Sequence, residues 1–235
     1  MMRDKKQGRR TAQEAQQTKR FILEVAQRLF CETGYAQVSL RDISEQAGVS
    51  HSLLRYHFGS KEKIWCTISD QLHDYFQAYM RVLLEQQVDD LPANIRLYKL
   101  ATGVLAHSLL DPRPTQLFSD TIRQDHALFD YFFDKTGETT LLITTLIDDF
   151  NHDFPDQFLR LEELKWYQCI YANSAATLRP FLFKTFDPQQ RDLDTCLLAH
   201  WQLFNSLMAA MLFIPIEYQD HPKHLQDLIY EMENV

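Results

Sequence analysis

A short polar and aromatic segment, His51–Phe58, carries side chains that could read the edges of DNA bases. Leu54 and Phe58 stand four residues apart, so in a helix they share one face and point into a core. An arginine can bond a guanine edge or a phosphate, and a leucine can pack on a thymine methyl group. The segment is therefore predicted to be a helix that reads DNA. For His57 two roles are possible, packing in the core or contact with DNA. The predicted reading residues are His51, Ser52, Leu53, Arg55, Tyr56 and, in the second alternative, His57.

Two serines, Ser39 and Ser50, stand where predicted helices begin and could help to hold phosphate. A serine that caps a helix leaves neighbouring backbone N–H groups, and the positive end of the helix dipole, available to an anion. Simple capping explains the same two residues. The two roles are compatible, so both serines are predicted phosphate contacts.

Arg20 and Arg41 are two further candidates for contact with DNA phosphates. Each is followed four residues later by a glutamate, Glu24 or Glu45, with which it could form an ion pair along a helix. Phosphate positioning is the favoured interpretation, and the ion pairs are the alternative.

Basic charge is concentrated at the start of the chain. Residues 1–65 hold 12 Lys and Arg against 7 Asp and Glu, whereas residues 66–235 hold 12 against 25. The net charge of −8 therefore hides a basic N-terminal quarter, which indicates an anionic partner for that quarter alone. Residues 1–17 are predicted to be a basic flexible arm suited to a polyanion.

Three short helices are predicted to position these side chains. The first begins at Thr18 and ends near Gly34, and its apolar residues recur at i, i+4 spacing. The second begins at Ser39 with the spacing of a capping box and ends at Gly48. The third follows from Ser50. Two helices joined by a turn at a glycine form a helix-turn-helix, which presents its second helix to the DNA major groove.

These stretches resemble the DNA-binding domain of the TetR family of transcription regulators. The resemblance spans residues 18–65 and rests on Leu29-Phe30 with Thr33-Gly34-Tyr35, Ser39-Leu40-Arg41-Asp42-Ile43 with Ala47-Gly48-Val49-Ser50, and Tyr56-His57-Phe58-Gly59-Ser60-Lys61-Glu62. It implies an N-terminal DNA-binding domain followed by a larger helical domain that binds an effector and dimerises. It also implies that Lys61, at the start of a fourth helix, contacts a phosphate.

Two parts of the predicted reading helix depart from the common pattern of that family. A small residue and then a polar one usually follow the position of His51, whereas this chain has Ser52 and Leu53. Two aromatic residues usually precede the family's His-Phe pair, whereas this chain has Arg55 and Tyr56. The operator is therefore expected to differ from those of members with the commoner helix.

The remainder of the chain is predicted to be a helical array. Apolar residues at helical spacing mark segments from Lys61 to about Gln87, Pro92–Leu109, Thr115–Phe133, Leu141–Phe150, Leu161–Phe186 and Gln189–Phe213, with a weaker amphipathic tail after Pro222. No strand-type alternation is long enough to predict a sheet. The expected fold class is all-α, with a helix-turn-helix domain at residues 18–63 and an effector-binding and dimerisation domain at residues 64–235.

The resemblance implies a cavity for a small effector among the middle helices. Inward-facing aromatic and polar residues are the candidates to line it, although the same residue types also build ordinary cores. Because pocket linings are mostly apolar, an aromatic or lipid-like organic effector is expected. The candidates are Tyr75, Tyr79, His107, Phe118, Ile122, Phe129 and Tyr167.

The last two long helices are apolar on more than one face, so both sides of each are predicted to be buried. They are either central to a large bundle or packed against both their own domain and a second subunit. The resemblance favours the second alternative, a homodimer that pairs two reading helices on successive turns of DNA. The predicted interface residues are Trp166, Ile170, Trp201, Phe204 and Met208.

Several other classes of protein are disfavoured. The nucleotide-binding and hydrolase motifs G-x-x-x-x-G-K-[ST], G-x-G-x-x-G, G-x-S-x-G and H-E-x-x-H do not occur, and no cofactor or metal is expected. Two small Asp/His groups, Asp148–Asp153 and Asp220–His224, lack zinc-site spacing. The four cysteines are predicted to be buried, and neither a membrane span nor a secretory signal is visible.

The sequence thus predicts a cytoplasmic transcription regulator that is not an enzyme. It is expected to act as a repressor that a small organic effector releases from a palindromic double-stranded DNA operator. Two alternatives remain, an effector-blind DNA-binding protein and an all-α enzyme with a basic N-terminal module. Convergence of His107, Asp125 and His126 on an open, metal-containing cavity would favour the enzyme.

Overall fold

The computed structural model describes residues 4–87, 91–122, 128, 131, 137–230 and 232, and the side chains of these residues except 4–12, 120–122 and 138. Its α-helices are α1 (Asp4–Thr33), α2 (Leu40–Gln46), α3 (His51–Phe58), α4 (Lys61–Glu85), α5 (Ala93–Leu110), α6 (Arg113–Ile122), α7 (Glu138–Asp153), α8 (Leu161–Thr177), α9 (Arg179–Phe186) and α10 (Leu193–Met211). Short 3₁₀ turns occur at Tyr35–Gln37, Ile216–Tyr218 and Leu225–Leu228. No strand occurs in the described residues, and the all-α fold class is confirmed.

The chain divides into two compact units. The first comprises Met1–His73 and Leu117–Asp134, and the second comprises Asp74–Gln116 and Lys135–Val235. The predicted domain boundary after residue 63 therefore falls inside α4. The two compact units divide about ten residues later, after His73. A long helix with a continuous apolar stripe offers no local signal at the point where its packing partners change.

The first unit is built around the apolar face of α1. Ile22, Phe30, Ile43, Leu54 and Trp65, which come from four different helices, are all fully buried in one core. The i, i+4 stripe that predicted the first helix supplies this core, as expected for an amphipathic helix. The three short helices are thereby fixed relative to one another.

The second unit is organised around α5, which contacts α7, α8 and α10. Two of its buried polar side chains are bonded to carbonyl groups of other segments, so their burial is compensated. The Trp201 indole N–H donates to the Thr102 carbonyl at 2.9 Å, and the Asn94 amide donates to the Leu212 carbonyl at 3.0 Å.

Two predicted helix boundaries are wrong. The first helix begins by Asp4, not at Thr18, because the Thr18 hydroxyl donates to the Glu14 carbonyl within the helix instead of capping it. The predicted arm of residues 1–17 is therefore helical from Asp4 onwards. The segment Leu161–Phe186 is two helices, because Pro180 has no N–H and cannot continue α8, yet fits the first turn of α9.

Further differences concern the connections. α6 begins at Arg113, before the predicted start at Thr115, and Gly137 stands directly before α7 as its N-cap. In the described residues after Pro222, the predicted amphipathic tail is represented by the Leu225–Leu228 turn. None of the described helices combines the length and apolar character needed to cross a bilayer.

Candidate functional site

The predicted reading helix α3 presents the predicted side chains to solvent. Leu54 and Phe58 are buried, whereas Tyr56 is 84% exposed and Leu53 is 37% exposed. His51, Ser52 and Arg55 are exposed as well, and His57 is half-buried. An exposed helix face that combines an arginine, hydroxyl groups and an aromatic ring has the groups that bond base edges and phosphates.

The two serines cap their helices as predicted. The Ser39 hydroxyl accepts from the Asp42 N–H at 3.2 Å, and the Asp42 carboxylate accepts from the Ser39 N–H at 2.8 Å, which completes a capping box. Bonds from the Ser39 hydroxyl and N–H hold the pKa of Asp42 below its usual value. The Ser50 hydroxyl accepts from the Leu53 N–H at 3.1 Å. These are the bonds that fix the entry to α2 and α3.

The turn between α2 and α3 depends on Gly48. Its φ of 62° lies in the left-handed region, which glycine enters without steric cost. The Val49 N–H donates to the Ser44 carbonyl at 3.0 Å and so closes the C-terminal end of α2. The turn therefore sets the angle at which α3 leaves α2.

Lys61 has an internal partner in the structure. Its ammonium donates to the Tyr35 carbonyl at 2.8 Å and lies 4.3 Å from the centroid of the Tyr35 ring. Burial lowers the pKa of this lysine. The geometry therefore ties the start of α4 to the turn after α1, a role that the sequence resemblance did not suggest.

The two arginine candidates lie on the surface of the first unit. Arg41 forms an ion pair with Glu45, with 2.7 Å between Nε and Oε1. This is the alternative that the sequence left open, and both side chains remain exposed enough for the pair to open towards a phosphate. Arg20 is exposed on α1.

Three of the effector candidates come together in the second unit. The Tyr75 hydroxyl and the His107 Nε2 atom are 2.7 Å apart, and the rings of Tyr79 and His107 have centroids 4.3 Å apart. Phe76, which the sequence analysis did not select, lies edge-on to His107 at 5.8 Å. These four residues are called the tyrosine–histidine cluster below.

The titratable side chains of the cluster are uncharged at neutral pH. Burial lowers the pKa of His107, so its imidazole is uncharged at neutral pH. Burial raises the pKa of Tyr75 and of Tyr79. Asp111, a carboxylate whose charge acts on His107, is paired with the Arg113 guanidinium at 2.7 Å. Its burial opposes ionisation, but the bonds from Arg113 outweigh that effect and lower its pKa.

Two of the other effector candidates, Phe118 and Tyr167, are described by the structure. Phe118 packs against the core of the first unit and meets Trp65 edge-on at 6.5 Å. Tyr167 is half-buried on α8, where it borders an open groove with Arg160 and Trp166. The Ile122 side chain and all of Phe129 lie outside the described residues, as do Asp125 and His126.

The predicted interface residues separate into two groups. Trp166 is 64% exposed and Ile170 is also exposed, so both are available to a partner. Trp201, Phe204 and Met208 are 0% exposed. That part of the prediction is wrong for this chain, because their side chains pack into the core of the second unit.

Three further large apolar residues that the sequence analysis did not select are exposed. Leu178 and Phe181 lie at and after the break between α8 and α9, and Leu203 lies on α10. Together with Trp166 and Ile170 they are called the apolar face of α8–α10 below. The signal that could have found Phe181 is Pro180, which ends α8 and redirects the chain.

The remaining side chains to consider are the possible metal ligands and the cysteines. Within the described part of the chain, no three His, Cys, Asp or Glu side chains come close enough to hold a metal ion. Cys66 and Cys196 are buried as predicted, Cys31 is half-buried, and Cys169 is exposed on α8, so the prediction fails there.

The family model that matches this chain covers residues of the first unit. Residues 22–65 match the family model TetR_N, described as bacterial regulatory proteins of the tetR family. The chain is 34% identical over 110 residues to the HTH-type transcriptional regulator TtgR of Pseudomonas putida, which covers 46% of this chain and 51% of that protein. It is 42% identical over 61 residues to the HTH-type transcriptional regulator AcrR of Shigella flexneri, covering 26% and 28%. The chain thus spans about half the length, or less, of these curated relatives.

One solved structure has a fold similar to that of most of this chain. A TetR family transcription regulator from Marinobacter aquaeolei superposes with a TM-score of 0.56 at 12% identity, over 82% of this chain and 97% of that one. At this identity the match shows the fold alone. Residues 22–65, which include the helix-turn-helix, thus match the TetR family model, and the fold of the chain is similar to that of this solved regulator.

Proposed function

We propose that the chain is a cytoplasmic, homodimeric transcription regulator, a repressor that a small organic effector releases from a two-fold symmetric operator. The observation that carries this proposal is the exposed face of α3 within a TetR-family domain. No catalytic role is assigned, so the proposed activity is regulation and not enzymatic turnover.

The proposed contacts with bases and phosphates are assigned from the solvent exposure of each side chain. Arg55, Ser52 and Tyr56 lie on the open face of α3 and read base edges, and Leu53 packs on a thymine methyl group. Phosphates are held at the N-terminal ends of α2 and α3, beside Ser39 and Ser50, and by Arg20 and Arg41. His57, which is half-buried, supports α3 from the side.

The apolar face of α8–α10 is the proposed dimer interface. Large exposed apolar side chains gathered on neighbouring helices are typical of a surface that a partner covers. A second copy is the fitting partner, because a symmetric operator requires two α3 helices about 34–36 Å apart.

Effector control is proposed to act through α4. This single helix carries Lys61 at its start, and Tyr75 and Tyr79 about four and five turns later. A ligand that contacts the tyrosines and favours one position of α4 shifts the position of the reading helices. Such control requires the ligand to bind the free and DNA-bound forms with different affinity.

Selection of DNA sequences from a random pool tests the central proposal. We expect a two-fold symmetric consensus whose affinity falls steeply as salt rises, because phosphate contacts release counterions. No enrichment at any salt concentration would overturn the assignment as a sequence-specific regulator.

Two matched variants separate reading from positioning in the same selection. Arg55→Ala is expected to change the consensus at one position in each half-site. Arg41→Ala is expected to weaken binding to all sequences alike and to leave the consensus unchanged, since a phosphate contact carries no sequence information. An unchanged consensus for Arg55→Ala would remove Arg55 from the reading surface.

A further inference from the structure

The tyrosine–histidine cluster contains buried hydrogen-bonding atoms that the described residues leave unsatisfied. His107 is 8% exposed, and its Nδ1 atom is buried with no hydrogen-bond partner within that part of the chain. The Tyr79 hydroxyl, which lies near the main chain of Tyr230, likewise makes no hydrogen bond of normal geometry. An unsatisfied buried polar atom costs about 1–3 kcal/mol, so such atoms indicate a site that a ligand completes.

The contact between Tyr75 and His107 determines what the free ring nitrogen can do. A neutral imidazole has one N–H donor and one acceptor nitrogen. When the Tyr75 hydroxyl donates to Nε2, the proton of His107 sits on Nδ1, which becomes a donor. In the opposite tautomer Nε2 donates to the tyrosine and Nδ1 is an acceptor. A hydroxyl group on a ligand satisfies Nδ1 in either case, because it can donate or accept.

The surroundings of Nδ1 select the rest of the ligand. The rings of Tyr75, Phe76 and Tyr79 all lie within 5.8 Å, centroid to centroid, of the His107 ring. Aromatic rings at these distances bind another aromatic ring in edge-to-face or offset geometry. Among the described residues, the Asp111 carboxylate is already paired with Arg113, so this ion pair offers no unpaired counter-ion to a charged ligand, which would lose its hydration.

We propose that the tyrosine–histidine cluster binds a neutral aromatic molecule through a hydroxyl group bonded to Nδ1 of His107. This inference rests on the proposed function in that it names the chemical class of the effector. It restricts the expected chemical class of the effector from aromatic or lipid-like molecules to phenols. Phe76, which is only half-buried, is the side chain that moves to admit the ring, since Tyr79 and His107 are enclosed and Tyr75 stays bonded to Nε2.

Calorimetric titration of the purified full chain with three one-ring probes tests the proposal. Phenol carries the hydroxyl group, toluene lacks it, and benzoate replaces it with a charge. We expect phenol to bind at least tenfold more tightly than either of the others, because one buried hydrogen bond changes affinity by about that factor. Equal affinity for phenol and toluene, tighter binding of benzoate, or no binding of phenol would each overturn the proposal.

Matched variants locate the site. His107→Phe keeps a ring of similar size but removes Nδ1, and we expect it to weaken phenol binding about tenfold while leaving toluene unchanged. His200→Phe is the control, because His200 is equally buried in the second unit but has a partner for Nε2, the Tyr171 carbonyl at 2.9 Å. Loss of phenol binding in the control but not in His107→Phe would contradict the assignment.

The failure of this inference and the failure of the proposed function are distinguishable. Phenol binding is measured without DNA, and operator selection is performed without phenol. A chain that selects an operator but does not bind phenol is a regulator with another effector or none. A chain that binds phenol at His107 but selects no DNA keeps the ligand site and loses the regulatory role.

Discussion

At the scale of single residues, Lys61 has two contacts that compete with any contact to DNA. Its ammonium donates to the Tyr35 carbonyl and lies over the Tyr35 ring. A lysine in this position stabilises the junction between the end of α1 and the start of α4. We therefore expect it to affect DNA binding by holding the first unit in shape, without neutralising a phosphate.

Lys61→Met tests that role. Methionine keeps an apolar chain against the Tyr35 ring but cannot donate to its carbonyl, so we expect the free energy of unfolding to fall by about 1 kcal/mol. Affinity for all operator sequences should fall, whereas the slope of log affinity against log salt should not change. Fluorescence anisotropy on the selected operator over a salt series measures both quantities.

Arg41→Met is the matched control for Lys61→Met. Removal of one phosphate contact reduces the magnitude of the salt slope by about 0.9, so the Arg41 variant is expected to show that change. If Lys61→Met changes the slope by the same amount, the lysine contacts phosphate and the internal contact is secondary.

At the scale of elements, the helix-turn-helix depends on one backbone conformation. Gly48 has a positive φ, and a Cβ atom built on it would meet no atom within 4 Å. The cost of any side chain there is therefore backbone strain, not a clash with neighbours. The direction in which α3 leaves α2 is set by this local geometry.

Substitution of Gly48 measures that strain. Gly48→Ala is expected to lower the free energy of unfolding by about 1–2 kcal/mol, because alanine is unfavourable in the left-handed region. Gly48→Asn should cost clearly less, since asparagine tolerates this region. Chemical denaturation of both variants provides the comparison. Equal losses would mean that something other than backbone conformation is being disturbed.

At the scale of the whole molecule, two buried histidines make stability depend on pH. Burial lowers the pKa of both His107 and His200, although Asp111 opposes the shift at His107 and the Tyr171 carbonyl opposes it at His200. The unfolded chain therefore binds protons at a higher pH than the folded chain does. Stability is fully present above the unfolded pKa of about 6.5 and is lost as pH falls below it.

The pH dependence can be assigned by substitution. Between pH 7 and pH 5 we expect the free energy of unfolding to fall by up to about 1.4 kcal/mol per pH unit for each histidine that stays neutral when folded. His107→Phe should flatten this slope, with His107→Gln as a second variant that keeps a hydrogen-bonding side chain. Urea denaturation at a series of pH values measures the slope. An identical slope in wild type and both variants would show that His107 takes up its proton equally well when folded.

The assembly prediction concerns surface residues, not core residues. Phe181→Glu places a charge on the apolar face of α8–α10, where Phe181 is 66% exposed, and should leave the fold intact but produce monomers. Operator affinity should then fall by at least a factor of ten, since each monomer holds only one half-site. Sedimentation equilibrium and operator binding check the two expectations.

Trp201→Ala is the contrasting variant for assembly. Trp201 is fully enclosed in its own chain, so the expected effect is a loss of about 3–5 kcal/mol in stability. A stable monomer from Trp201→Ala, or an unchanged dimer from Phe181→Glu, would place the interface elsewhere.

Local interactions allowed the sequence by itself to determine the helix-turn-helix. The caps at Ser39 and Ser50 and the positive φ at Gly48 each depend on residues within five positions of one another, so their spacing predicts the structure. The exposed face of α3 follows equally from Leu54 and Phe58. The likeness to the TetR family also follows from the sequence, since its motifs are short and contiguous.

Only the tertiary structure decided which face of each long helix is covered. Trp166 and Trp201 are both tryptophans in apolar helices, yet one is exposed and the other is enclosed, because α10 is packed against α5 while that face of α8 is not. The contact of Lys61 with Tyr35 joins residues 26 positions apart, and Tyr75 meets His107 across 32. Burial and long-range pairing depend on how helices pack, and apolar periodicity does not distinguish a core from an interface.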